Sequence, residues 1–243
     1  MKLKHIILPA LLLISIAGMA QETPKKPKNS KAKVDLTGRS NDHLLFQVGY
    51  TQWANLPDTL STNGLSKSLN AYIMFDFPFK NDARLSMAFG PGIGSDHILF
   101  TKRRIGIADL APQLAFTNVQ DTNHFKKSKL ATVYAEAPIE FRYNTDPENN
   151  KGFKWAIGVK VGTLLNAHTR NTKWQNRNGN LLNDYVMKET SKRFFNRTRI
   201  VAHGRVGLGH IAIYGSYQLT TVIKDGFGPA VRPLTIGLTI SGL

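Results

Sequence analysis

The charged residues best suited to chemistry occupy alternate positions in segments that are otherwise apolar. Glu136 and Glu140 share one face of residues 131–143, and His203 lies on the corresponding polar face of residues 199–208. Carboxylates beside a histidine could act as general acids and bases or relay protons. Because the pattern places no nucleophile with them, we favour a structural role in which opposite charges pair.

The same alternation gives further charges of both signs on these polar faces. An unpaired charge is costly in a narrow interior, so acidic and basic groups that face such a space should pair. The sequence therefore predicts an interior ion-pair network. Its expected members are Asp76, Arg84, Glu136, Glu140, Arg142, Lys160 and Arg205.

Other candidate sites have weaker support. Residues 90–94 (GPGIG) resemble a phosphate-binding loop, but no Lys-Ser/Thr pair and no helix pattern follow, so we interpret them as glycines facing a crowded interior. Asp96 and His97 could begin a catalytic site, although we favour a turn that leads into a loop. The seven histidines lack metal-binding spacing and the chain has no cysteine, so we expect no metal site and no cofactor.

The N-terminal residues have the pattern of an export signal. Two lysines precede an apolar stretch from Ile6 to Ala17, and small residues lead to a cleavage site after Ala20. This stretch is too short to span a bilayer, and no longer apolar run follows it, so a helical membrane protein is not expected. The predicted organisation is a signal peptide (1–20), a flexible basic periplasmic leader (21–42) and one domain (43–243).

From Leu44 onward, apolar residues alternate with small or polar ones, which is the pattern of β-strands with two different faces. The sequence predicts eight such strands, an even number. They span residues 44–51, 68–77, 84–94, 131–143, 153–166, 199–208, 211–220 and 234–241. A soluble β-sandwich alternates in the same way, so other features have to distinguish the two folds.

The connections between the predicted strands alternate in length. Long ones cover residues 55–67, 100–129 and 169–195, and short turns lie around 80–82, 144–151 and 207–209. Aromatic residues such as Trp53, Phe79 and Trp155 stand near strand ends, where a membrane barrel has its interfacial girdles. The sequence therefore predicts an all-β fold, an eight-stranded antiparallel transmembrane β-barrel with long extracellular loops and short periplasmic turns.

Composition limits the partners. A hydrophobic fraction of 42% excludes a disordered chain, and 32 basic against 16 acidic residues give a net charge of +16. Much of the excess lies in the long connections, where it would meet lipopolysaccharide or other acidic surface polymers, and export to the envelope argues against nucleic acid. The predicted cationic loop surface comprises Lys102, Arg103, Arg104, Lys126, Lys127, Arg170, Lys173 and Arg177.

Three segments resemble a known family. The string VYAEAPIEFRY at residues 133–143 resembles a strand of the PorT-like outer-membrane β-barrel family of Bacteroidetes, and residues 204–221 and 233–238 are similar to its last strands. The resemblance covers about residues 40 to 243. It implies an eight-stranded barrel in the outer membrane, inserted by the barrel-assembly machinery. One branch of this family takes part in protein secretion, but no string here identifies that branch.

These observations favour a non-enzymatic outer-membrane protein with a structural or interaction role. It would contact outer-membrane lipid and lipopolysaccharide, and envelope proteins are possible partners. Two alternatives stay open at this stage. One is a barrel enzyme, a protease or lipid-modifying protein with acidic and histidine residues at its rim, and the other is a narrow channel or transport accessory. An eight-stranded barrel is just wide enough for side chains to fill it, so a general porin is disfavoured.

Overall fold

The computed structural model describes residues 43–57, 60, 62, 65–149 and 151–242. All regular secondary structure in these ranges is β-strand. The strands are β1 (Leu44–Ala54), β2 (Lys67–Ile73), β3 (Phe75–Phe79), β4 (Asp82–Phe89), β5 (Gly92–Phe100), β6 (Arg103–Ile105), β7 (Phe116–Asn118), β8 (His124–Asn144), β9 (Phe153–Gln175), β10 (Leu181–Thr190), β11 (Thr198–Leu208), β12 (Ile211–Gln218) and β13 (Arg232–Ser241). The predicted signal peptide and leader lie outside the described residues. No helix among the described residues is long and apolar enough to cross a membrane.

Antiparallel pairing between neighbouring strands closes a ring. The order around it is β1, β2, β5, β8, β9, β11, β12 and β13, and β13 pairs back with β1. A hairpin of β3 and β4 continues β2 and β5 towards one end, where β4 also pairs with β8. The all-β, antiparallel prediction is therefore confirmed, and the ring has one strand or strand pair for each predicted segment.

The second and third predicted strands are each interrupted at the same level. Met74 separates β2 from β3, and Gly90 with Pro91 separates β4 from β5. A Cβ atom on Gly90 would overlap the carbonyl oxygen of Ile73, so only glycine allows the two chains to approach this closely. The Ile73 amide then donates a hydrogen bond to the Pro91 carbonyl oxygen at 2.9 Å, which keeps the two strands together across the break.

The two faces of the ring have opposite polarity. On β1, outward-facing Phe46 and Val48 are exposed, whereas Gln47 and Thr51 on the other face are buried. Similar exposed apolar side chains surround the ring, and we call this surface the apolar belt. It includes Phe46, Val48, Ile73, Ile93, Ile139, Ile157, Ile213, Ile236 and Leu238. Soluble monomers rarely expose so continuous an apolar surface, so this belt requires a covering layer.

The connections differ between the two ends of the ring. At one end, the turn end, short connections lie at 80–81, 145–152 and 209–210. At the other end, the loop end, longer segments connect β1 to β2, β5 to β8, β10 to β11 and β12 to β13. The chain enters β1 and leaves β13 at the turn end. One predicted turn is displaced, because Leu208 belongs to β11 and the turn falls at Gly209 and His210, where Gly209 has a φ of 56°.

Two predicted loops are wrong at their edges, because strands extend into them. β8 already begins at His124, and β9 continues to Gln175, where β10 returns beside it as a hairpin. These extensions lie beyond the apolar belt and carry polar side chains on both faces. The backbone still pairs there, but the hydrophobic alternation that identifies a strand from sequence is lost.

Apolar residues at the loop end pack into one cluster, which we call the cap. Trp53 and Phe100 meet edge to face with ring centroids 5.6 Å apart. The cap joins inward side chains of the ring to the connecting segments, so apolar groups occupy the loop end of the interior. Its buried members are Trp53, Ile98, Phe100, Ile105, Ile107, Leu114, Leu130, Tyr134, Leu164, Ala167, Phe194, Phe195, Val222, Ile223 and Val231.

Candidate functional site: the polar interior

Below the cap, buried charged side chains form a first cluster around Glu140 on β8. The Arg142 Nε donates to Glu140 at 2.7 Å, an Arg205 guanidinium nitrogen donates at 3.1 Å, and the His203 Nε2 lies 3.0 Å from the other carboxylate oxygen. Arg142 also lies 3.7 Å from Asp76. Alternation places these residues on the inward faces of β8, β11 and β3, so the carboxylates meet cations from neighbouring strands.

Arg84 is the one predicted network member that lies elsewhere. Its guanidinium pairs with Asp82 at 2.9 Å, and 54% of its side chain is exposed. Although alternation would turn Arg84 inward, it is close to the turn between β3 and β4, where its long side chain reaches water. The assignment of Arg84 to the interior network was therefore wrong.

A second cluster surrounds Arg199 on β11, nearer the loop end. Its guanidinium lies 2.8 Å from an Asp96 oxygen and 3.0 Å from a Glu136 oxygen. The Tyr72 hydroxyl donates to Glu136 at 2.6 Å, and the Arg199 guanidinium lies 4.8 Å from the centre of the Tyr134 ring. One arginine thus holds two carboxylates from different strands and stacks on an aromatic ring of the cap.

Lys160 on β9 belongs to the second cluster through hydrogen bonds rather than an ion pair. Its Nζ donates to Gln47 at 2.8 Å and to the Tyr72 hydroxyl at 3.1 Å. It also lies 4.8 Å from the centre of the Tyr72 ring and 5.8 Å from that of Tyr214. Since Tyr72 in turn donates to Glu136, the ammonium group contacts the carboxylate through one intervening hydroxyl.

Charges in the two clusters balance. Four carboxylates, Asp76, Asp96, Glu136 and Glu140, face four cations, Arg142, Lys160, Arg199 and Arg205. Each charge is offset by a partner of opposite sign or by hydrogen bonds, which is the condition under which buried charge is tolerated. The packing is tight, because a Cβ atom on Gly94 would lie 2.7 Å from the Glu136 carboxylate. Chemically, this arrangement fills the interior and fixes the strands around it.

Sequence reasoning missed two members of the network. Asp96 lies in β5 and not in a turn, and it is buried against Arg199. Its neighbour His97 is on the opposite face of the same strand, so the two cannot converge on one catalytic centre. Period-two alternation already placed Arg199 on the polar face of its segment, and continuing the third segment by two residues would have identified Asp96.

Residues of the predicted cationic surface lie on strands as well as loops. Lys126 and Lys127 belong to β8, Arg170 and Lys173 to β9, and Arg103 and Arg104 to β6. Lys102 and Arg177 lie between strands. Arg104 is paired, since two of its nitrogens donate to Asp109 at 2.8 and 2.7 Å. These hydrogen bonds lower the pKa of Asp109 from its ordinary value.

A small cavity of about 200 Å³ lies beside this region. Its lining combines five aromatic or aliphatic side chains with two arginines and four other polar side chains. The lining includes Arg103, Arg104, Phe125, Trp174, Tyr185 and Met187. Sites for drug-sized ligands usually measure about 300–1,000 Å³, so this cavity suits only a smaller molecule. No group of three or more acidic or histidine side chains among the described residues could hold a metal ion.

An all-β chain whose ring of strands is apolar outside and charged inside has the polarity of a protein that crosses a membrane with strands. The family model of the outer membrane protein beta-barrel domain matches residues 19–220. The chain belongs to this family and is an outer-membrane protein. Comparison with curated proteins finds none that matches the chain.

Proposed function

We propose that the protein is an eight-stranded outer-membrane β-barrel with a non-enzymatic role in the cell envelope. It acts by binding at the cell surface or as a component of a larger envelope complex, such as secretion machinery. The observation that supports this proposal is the closed ring of strands with an apolar belt outside and paired charges inside. A closed ring leaves no sheet edge in hydrocarbon, which is the requirement for spanning a membrane with strands.

The proposed orientation puts the loop end outside the cell and the turn end in the periplasm. Barrels of this kind have long extracellular loops and short periplasmic turns, and the two ends of the ring differ in this sense. Within the family, the string at 133–143 supports a place among the PorT-like proteins. That string forms the half of β8 nearer the turn end and carries both Glu136 and Glu140.

The cations at the loop end form the proposed interaction surface. Lys126, Lys127, Lys173 and Arg177 are exposed there, in the position where an extracellular surface meets lipopolysaccharide or acidic polymers. Insertion by the barrel-assembly machinery and contacts with other envelope proteins are part of the same proposal. The chain would act through what it displays and anchors rather than through turnover of a substrate.

Two structural observations oppose the alternatives. Asp96 and His97 face opposite sides of β5, so the residue pair that could begin an enzyme site is split. Ion pairs occupy the interior and the cap occupies its loop end, so a continuous aqueous path is not expected. Purified protein should give no single-channel steps in planar bilayers and no hydrolysis of peptide or lipid substrates. Steady conductance would favour a channel, and turnover abolished by His97→Ala would favour an enzyme.

The orientation can be tested with single cysteines, because the natural chain has none. Asn178→Cys places a thiol between β9 and β10 at the loop end, and Asn81→Cys places one in a turn at the turn end; both positions are exposed. A membrane-impermeant maleimide added to intact cells should label the first variant and not the second, and both should react after lysis. Labelling of Asn81→Cys alone in intact cells would reverse the orientation, and reaction of neither variant would contradict surface display.

A further inference from the structure

Three cations form a row across the strands that extend beyond the ring. Lys129 on β8 is the direct cross-strand partner of Arg170 on β9, and Arg170 is in turn the partner of Lys188 on β10. Directly opposed side chains on antiparallel strands have Cβ atoms about 5 Å apart, so like charges at such positions repel. We call Lys129, Arg170 and Lys188 the cationic row.

The cationic row faces outward, on the same side of the sheet as the apolar belt. Leu130 and Thr169, one position along from Lys129 and Arg170, are buried at 1% and 0% exposure and face inward. Every second residue of β8 from Lys129 leads to Ile139, which is 50% exposed in the belt, and of the positions between them on this face only Ala131 is buried. The row therefore continues the membrane-facing surface of the wall rather than the interior.

A second basic group lies next to the row on the belt side. His168 and His97 flank Ala131, which pairs with both of them from the neighbouring strands. The charges of Lys129, Arg170 and Lys188 all act on His168, and Lys129 also acts on His97. Five basic side chains thus share one outward patch.

No acidic side chain among the described residues forms an ion pair with the three cations of the row. Lys129, Arg170 and Lys188 make no ion pair with a carboxylate there, in contrast to Arg84 and Arg104. Glu189, beside Lys188, points to the other face, where it accepts a long hydrogen bond of 3.5 Å from buried Thr169. The repulsion within the row therefore has no compensation from the protein itself.

The height of the row identifies what could compensate it. Tyr143 and Lys129 stand at opposite ends of the outward face of β8, about 46 Å apart along a strand at 3.3 Å per residue. At the tilt of roughly 40° typical of such strands, this separation is about 35 Å along the barrel axis, and the apolar band of a barrel is about 25 Å tall. With Tyr143 at the border of the apolar band at the turn end, Lys129 lies about 10 Å beyond the opposite border, at the level of the headgroups of a glycolipid.

We propose that the cationic row is a binding site for the phosphate groups of an outer-leaflet glycolipid whose acyl chains pack on the adjacent belt. This inference rests on the proposed function, because it requires the barrel to lie in the membrane with its loop end outward. Arginine and lysine are the side chains suited to phosphate, arginine through two parallel hydrogen bonds and lysine as a point charge. The cationic row and the apolar belt meet at this border. A lipid with phosphate groups and acyl chains can therefore contact the row with its phosphates and the belt with its chains.

The test compares two double variants of the full mature chain in phosphatidylcholine nanodiscs that contain diphosphoryl lipid A. Lys129→Gln/Arg170→Gln removes two charges from the row, and Lys80→Gln/Lys151→Gln removes two exposed charges from the turn end. Native mass spectrometry of released protein gives the apparent dissociation constant for lipid A. A folded variant should migrate faster on a gel when unheated than after boiling, and this difference confirms that each variant is folded.

We expect the row variant to bind lipid A about twenty-fivefold more weakly, since each Lys or Arg near an anionic surface contributes roughly a fivefold factor. The turn-end variant and Arg170→Lys should bind like the wild type, and dephosphorylated lipid A should bind the wild type as weakly as the row variant binds lipid A. Equal binding by the row variant, or equal binding of dephosphorylated lipid, would overturn the proposal. Displacement by millimolar inorganic phosphate would assign the site to free phosphate instead.

Two further outcomes keep the proposal testable. If the row double variant does not fold, Lys188→Gln on β10, which lies outside the closed ring, should alone weaken lipid A binding about fivefold, and unchanged binding would overturn the proposal. If the wild type does not enter nanodiscs as a folded protein, the membrane barrel itself is contradicted. In that case the lipid site would be ruled out because the proposed membrane barrel is wrong, and not because the cationic row binds lipid A weakly.

Discussion

The wall of the ring and the cap are built on opposite plans. In the wall, apolar side chains such as Ile236 face outward and charges such as Arg199 are buried inside. In the cap, apolar side chains such as Phe195 are buried, and charges beside it, such as Arg104 on β6, reach the solvent. One chain follows both plans because the two regions meet different surroundings. In the proposed barrel, hydrocarbon covers the first and water covers the second, so each region buries the side chains that interact unfavourably with its surroundings.

The largest effect should come from breaking the charge balance inside the wall. Arg199→Gln leaves Asp96 and Glu136 buried without their shared cation, and removing one partner of a buried pair typically costs about 3–5 kcal/mol. We expect a loss of about 4 kcal/mol in the free energy of unfolding from lipid vesicles, measured with guanidinium. The matched control is Arg84→Gln, which removes an exposed arginine. Equal midpoints for the two variants would contradict a structural role of the interior network.

Truncation of a buried cap side chain should destabilise the protein nearly as much, but the effect should appear at the loop end rather than in the ring. Phe195 is fully buried, and Phe→Ala in a packed core costs about 3 kcal/mol or more. Because the cap lies outside the apolar belt, Phe195→Ala should increase protease cleavage at the loop end while the ring keeps its heat-modifiable migration. A variant whose ring unfolds together with the cap would show that the two regions form one cooperative unit.

A lysine placed on an exposed apolar residue separates the two surroundings directly. Ile236 is 61% exposed in the middle of β13, and Leu110 is 94% exposed in a loop-end segment. Ile236→Lys should reduce the free energy of unfolding from vesicles by about 2 kcal/mol, since a lysine at the bilayer midplane is unfavourable by that order. Leu110→Lys should change it little. If both substitutions were equally tolerated, the outward face of the wall would be in water.

The smallest effect concerns a pH-dependent ion pair at the loop end. Arg104 lowers the pKa of Asp109 below the ordinary aspartate value of 3.8, so the folded state favours the carboxylate. The pair therefore stabilises the cap above that value, and the contribution is lost as the pH falls through the lower folded pKa. Since both side chains are partly exposed, Asp109→Asn should cost less than about 1 kcal/mol at pH 7. The difference in protease resistance between wild type and Asp109→Asn should shrink as the pH falls below 3.8; a difference that grows as the pH falls would contradict the sign.

The sequence predicted the wall better than the cap, and the reason is physical. Along segments such as 44–51, successive residues face the apolar belt and the polar interior in turn, and this alternation gives the sequence a period of two. β10 and residues 124–130 of β8 were missed because both of their faces carry polar groups. Cap residues such as Leu114 and Phe194 come from separate connecting segments and follow no period, so only the folded chain brings them together.

Most members of the interior network could be predicted from the same alternation that predicted the wall. Asp76, Glu136, Glu140, Arg142 and Arg205 are found where alternation puts inward side chains. Pairing itself was not readable from sequence, because it depends on the register between strands that are distant in the chain. Arg84 was misassigned because alternation gives the face of a residue but not its depth, and a side chain near the end of a strand can leave the interior.

The central claim is that hydrocarbon covers the apolar belt, and collision of spin labels with two reagents measures this most directly. Labels attached to Ile157→Cys, Ile213→Cys and Ile236→Cys in vesicles should collide readily with dissolved oxygen and rarely with a water-soluble nickel chelate. A label at Asn178→Cys should show the reverse. If the three belt labels met the nickel chelate as often as the label at position 178, the belt would be in water and the membrane-spanning wall would be wrong.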